Sequence, residues 1–108
     1  MSNEIQVQER LRAIEQQLKE SGLWQTIAPN SHAFSSTEPF CVDTMTPLQW
    51  LQWVLLPRMQ ALLDAGAPLP TALAIAPYYE VALEGEIPQR AQLLHCLNTF
   101  DQLFESPN

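Results

Sequence analysis

A chain of 108 residues with twelve acids against five bases carries a net charge of −7, and 46% of it is hydrophobic. That length fits one domain, 1–108, which can bury roughly two thirds of its unfolded surface without metals or crosslinks. The charge argues against direct nucleic-acid binding, which needs clustered Lys and Arg to displace phosphate counterions. Here Arg10, Arg12 and Lys19 fall near the start, and only Arg58 and Arg90 follow.

The apolar run Trp53 to Pro57 is, like every other in the chain, far short of the about 20 residues of a membrane span. The first ten residues have neither the basic start nor the apolar core of a signal peptide. A cytoplasmic protein is expected, with Cys41 and Cys96 as reduced, mostly buried thiols.

Glycines and prolines punctuate four predicted helices, about 4–21, 47–65, 77–84 and 88–105. Gly22, Gly66 and Gly85 stand where a left-handed residue ends a helix, and Pro47, Pro77 and Pro88 where one begins. In the first helix Val7, Leu11, Ile14 and Leu18 are spaced four, three, four, which gives one apolar stripe. Asn3 and Gln6 resemble a cap and its partner, and Glu15–Lys19 is a favourable i,i+4 pair.

Residues 22–45 form a long connection for so small a chain. Leu23, Trp24, Ile27, Phe34 and Phe40 recur along it, so an ordered strap across the bundle is expected.

The second helix opens on Thr46, Pro47 and Gln49, a capping-box pattern with proline at the first position. At roughly 100° per residue, Leu48, Leu51, Leu55, Leu56, Met59, Leu62 and Leu63 share a core-facing arc. Trp50, Trp53, Val54, Pro57 and Ala61 fall on the other side, among Gln49, Gln60 and Asp64. That tryptophan face is either covered by the strap or the last helix, the expected arrangement, or an exposed patch. Segment 67–76 is ambiguous between extended chain and helical turn. The last helix repeats four-three-four spacing with Leu93, Leu97, Phe100 and Phe104. The expected fold is all-α, a compact bundle of about four helices with a long ordered loop between the first two.

Chemistry is sparse. His32, Cys41, His95 and Cys96 lack the paired spacing of a zinc site, and adjacent His95 and Cys96 point about 100° apart on a helix. Core or surface roles are expected for all four, with no metal and no cofactor. Glu80, Glu84 and Glu86 read as a solvated acidic edge that would attract a basic partner, rather than a catalytic pair. Asp43 reads as a turn or capping residue. No nucleophile elbow, phosphate loop, dinucleotide fingerprint or zincin motif occurs, so no enzymatic activity is expected. Trp50, Trp53, Arg58, Tyr78 and Tyr79 remain as a candidate protein interface, because such side chains dominate binding hot spots.

The strings Pro-Phe-Cys-Val-Asp-Thr-Met (39–45), Trp-Leu-Gln-Trp-Val-Leu-Leu-Pro-Arg-Met (50–59), Leu-Pro (69–70) and Ala-Pro-Tyr-Tyr-Glu (76–80) resemble the YqcC family of small bacterial proteins. The resemblance spans nearly the whole chain and implies a compact all-α bundle with no established activity. Members carry a label relating them to tRNA pseudouridine synthase C, which implies association with such an enzyme. Those synthases are similar to one another in an Arg-Leu-Asp motif. Here Arg10-Leu11 is followed by Arg12, and no Arg-Leu-Asp occurs.

The resulting expectation is a non-enzymatic acidic protein acting by protein–protein contact, with a tRNA pseudouridine synthase as candidate partner. One alternative is a small-molecule or enzymatic pocket between residues 22–45 and the bundle, using Asp43, His95 or the glutamates. Another is homodimerisation through the tryptophan face.

Overall fold

The structure, a computed structural model, describes residues 4–70, 73–83 and 87–104. Four helices carry it, with no strand among the described residues: α1 (Glu4–Glu20), α2 (47–65), α3 (Ala76–Ala82) and α4 (Arg90–Gln102). The stripe spacing explains their packing. Val7, Leu11, Ile14 and Leu18 of α1 are buried against Leu93, Leu97 and Phe100 of α4 and Leu51, Leu55, Leu56 and Met59 of α2. Ile75, Tyr79 and Leu83 close the same core from α3 and its flanks. Burying each such side chain contributes about 1.5–3 kcal/mol relative to leaving it in water.

Helix α2 begins as its sequence requires. The Gln49 N–H donates to Thr46 Oγ1 at 3.2 Å, and the Thr46 N–H donates to Gln49 Oε1 at 2.9 Å. Its middle was not legible: Leu51–Leu55 form a π turn between the α-helical stretches Pro47–Trp50 and Leu56–Ala65. There the Leu56 N–H bonds to the Leu51 carbonyl, one residue beyond the α-helical partner. Pro57, which has no N–H and whose ring crowds the preceding turn of a regular helix, follows directly. Gly22 and Gly66 end α1 and α2 in the left-handed conformation, at φ 74° and 65°.

The last two helices differ from the expected bounds. Segment 67–76 does not form a helical turn before Ala76 in the residues described, and α3 ends at Ala82, with Gly85 outside them. Pro88 does not open α4. The Arg90 N–H bonds to the Ile87 carbonyl at 3.1 Å, which makes 87–90 a turn with Gln89 left-handed at φ 55°, and the helix starts at Arg90. Arg90 then reaches back, its Nη2 donating to the Glu80 carbonyl at 2.7 Å and its Nε to that of Leu83. A cation on these carbonyls satisfies the C-terminus of α3.

The strap is ordered by two short 3-10 turns, Ser31–Ser35 and Pro39–Cys41. Leu23, Trp24 and Phe40 pack on the main core, and Ala33 and Met45 form a smaller cluster with Val54. Contrary to expectation, Ile27 and Phe34 stay outside, 81% and 44% exposed.

Candidate functional site

The five aromatic and basic residues singled out from the sequence do not form one surface. Phe40, which was not among them, organises three of them. Its ring stacks on Tyr78 with centroids 4.0 Å apart and planes 7° from parallel, while Trp50 meets it edge-on at 4.8 Å. Tyr79 closes the group from beneath, 5.2 Å from Tyr78. Its hydroxyl donates to the Pro47 carbonyl at 2.7 Å, and the side chain is fully buried. Burial, with the neighbouring Tyr78 adding to it, pushes the Tyr79 hydroxyl well above the ordinary tyrosine range. Tyr79 therefore supports the cluster without offering surface.

Backbone geometry holds Phe40 there. Phe40 and Cys41 are consecutive left-handed residues, φ 59° and 46°, with neither a glycine. Each such residue costs about 1–3 kcal/mol and persists where its surroundings over-determine it, often at functional sites. Beside them Val42 is 55% exposed, and on α3 Val81 is 69% exposed. Glu38, Asp43 and Glu80 are exposed nearby in sequence. Asp43 accepts a hydrogen bond from Ser36 Oγ at 2.5 Å, a role in loop geometry.

Trp53 lies elsewhere. It forms one wall of a groove of about 850 Å³ between α1 and α2, with Gln8, Leu11, Arg12 and Glu15 opposite and Trp24 of the strap at one end. The tryptophan face is thus split, Trp50 packed against Phe40 of the strap and Trp53 beside α1, both partly buried. The Trp53 indole N–H is shielded from solvent and has no acceptor, a state that costs about 1–3 kcal/mol. Arg58 is exposed and makes no ring contact among the described residues.

The remaining candidates stay apart. His32 and Cys41 belong to the strap, His95 and Cys96 to α4, and neither Asp43 nor His95 lines the groove. Burial raises the Cys96 thiol above its ordinary value; Arg10 opposes the shift and Glu20 adds to it. Among the described residues no group of three or more His, Cys, Asp or Glu is placed to hold a metal ion. Glu80 is exposed, while Glu84 and Glu86 lie outside the described residues. No described helix is long and apolar enough to cross a membrane.

Sequence reasoning missed Gln52. It is 4% exposed, accepts from the Gln25 N–H at 2.8 Å and donates to the Gln25 carbonyl at 2.6 Å, which fastens the strap to α2. Its signal was a polar residue on the apolar helix, without anything to reveal its partner.

An all-α architecture with an aromatic cluster and a separate interhelical groove defines a small helical-bundle protein. A family model described as "tRNA pseudouridine synthase C" (DUF446) matches residues 6–103, and the chain belongs to this family. It is 51% identical over 104 residues to the uncharacterized protein YqcC of Escherichia coli, covering 96% of this chain and 95% of that one. An uncharacterized protein of Haemophilus influenzae is 44% identical over 98 residues, 91% of this chain and 92% of the relative. The solution NMR structure of Escherichia coli YqcC matches with a TM-score of 0.85 and 49% identity, over 100% of this chain and 95% of that chain. A Pectobacterium carotovorum protein named tRNA pseudouridine synthase C is 57% identical over 70 residues, which is 65% of this chain but 19% of that protein.

Proposed function

We propose that this chain is a non-enzymatic, cytoplasmic accessory protein that binds a tRNA pseudouridine synthase through protein–protein contact. The observation that carries this reading is the 70-residue match inside a longer protein named as such a synthase. Two units that share one polypeptide meet at an effective concentration near the millimolar range, and the same units made separately need a contact surface instead. The Phe40–Tyr78–Trp50 cluster supplies one: rigid aromatic area, held by a strained backbone and bordered by exposed Val42. Arg58 is exposed on α2 and stands apart from this cluster. The scarcity of bases directs the reading toward the enzyme and away from its RNA.

The test is co-elution of the purified chain with the tRNA pseudouridine synthase C of the same organism, followed by titration calorimetry. Binding by the wild type, weakened about tenfold or more by Trp50→Ala or Tyr78→Ala, is the expected result. Absence of binding, with both proteins folded by circular dichroism, overturns it.

A further inference from the structure

The groove between α1 and α2 has a definite shape. Gln8 meets Gln60 near one end while Trp24 and Gln52 share the other, so the two helices run antiparallel. The α2 wall runs from Trp53 to Asp64, about 16 Å of helix. A second depression of about 370 Å³ shares Gln8, Arg12 and Asp64 and extends the groove past Ile5, which is 68% exposed.

Its polar groups limit what can lie there. Gln8 and Gln60 exchange amide hydrogen bonds at 2.8 Å in both directions, and Gln60 also donates to Asp64. Gln52 is committed to Gln25, and Gln16 donates to Glu20. Few side-chain amides are left to pair with an extended peptide backbone, whereas a helix brings its backbone already bonded. The charges lining the two depressions are Glu4, Glu9, Glu15 and Asp64 against Arg12, with Lys19 beside Glu15 at 2.8 Å. Acid predominates there, as it does over a chain of net charge −7. A second copy would bring that same charge against itself.

The geometry points to this groove as the docking site for a basic amphipathic helix of a partner protein, its apolar side on Trp53, Pro57 and Leu56 and its cations toward Glu9 and Asp64. The inference goes beyond the accessory reading and does not depend on the synthase being that partner.

NMR titration of the full isotope-labelled chain tests it. The probe is a leucine–lysine amphipathic peptide of about 15 residues, with the matching leucine–glutamate peptide as control. Shifts confined to the groove are expected, and the Trp53 indole resonance should move more than that of Trp50. The exposed double variant Glu9→Lys/Asp64→Lys should weaken binding about tenfold, and added salt should weaken the wild type. The inference is overturned by any of three outcomes: no binding, equal binding of the acidic peptide, or shifts centred on the Phe40–Tyr78 cluster. Concentration-dependent dimerisation through the groove without peptide would also overturn it.

Discussion

The Asp101 carboxylate caps a helix that begins twenty-five residues earlier: its Oδ2 accepts from the Ala76 N–H at 2.8 Å. Oδ1 takes the Ile75 N–H at 3.0 Å. A seven-residue helix is too short to stand alone, and its opening N–H groups point into the core. The buried carboxylate satisfies both donors and places a negative charge at the positive end of α3.

Asp101→Ala should therefore lower unfolding stability by about 2–3 kcal/mol, because two buried N–H groups lose a charged acceptor. Asp101→Asn, which keeps one acceptor oxygen, should lose less. Urea denaturation of both variants beside the wild type measures the difference.

Gln52→Ala should release the strap while leaving the bundle folded. Both Gln25 bonds vanish and the backbone N–H of Gln25 loses its acceptor, an expected cost of about 1–2 kcal/mol. Hydrogen exchange should speed up in residues 23–28 before it does in α1 or α4.

Tyr79 makes stability sensitive to alkali. Its folded-state value lies above the ordinary 10.0, so above that pH the unfolded chain gives up its proton first. Stability is undiminished below pH 10.0 and falls beyond it, by about 1.4 kcal/mol per pH unit until the folded form titrates. Tyr79→Phe should flatten this decline. At neutral pH it should cost about 1 kcal/mol for the lost bond to Pro47. Urea midpoints measured across the alkaline range check both signs.

Gly66→Ala should cost about 1 kcal/mol through backbone strain alone. A Cβ there meets no atom within 4 Å, yet φ is +65°. Thermal melting of Gly66→Ala and Gly66→Asn tests this, with asparagine expected to cost less because it tolerates the left-handed region.

The helices were legible because they follow local rules. Val7, Leu11, Ile14 and Leu18 recur at helical spacing, Thr46 and Gln49 cap by contacts three residues apart, and both are as expected. What escaped were contacts made at a distance. Asp101 and Gln52 are polar residues whose partners lie 25 to 27 positions away, and no periodicity announces such pairs. Phe40 was expected to pack with the strap, and does, but its stacking on Tyr78 escaped: an aromatic residue is an unusual occupant of left-handed backbone, so tertiary packing had to specify it. Pro88 looked like a helix start by composition, but the Ile87–Arg90 turn claimed it.

On a regular α-helix, residues three apart lie about 60° from one another, and Trp50 and Trp53 would share a side. The π turn that contains Leu51–Leu55 holds one more residue than an α turn, so it shifts the angular phase of everything after it relative to everything before. One rod is thereby geared to two directions, Trp50 engaging the strap and Trp53 the neighbouring helix. Tightening this turn into α geometry would bring the two tryptophans back toward one side of the rod, so the single extra residue is what lets one helix address two separate surfaces.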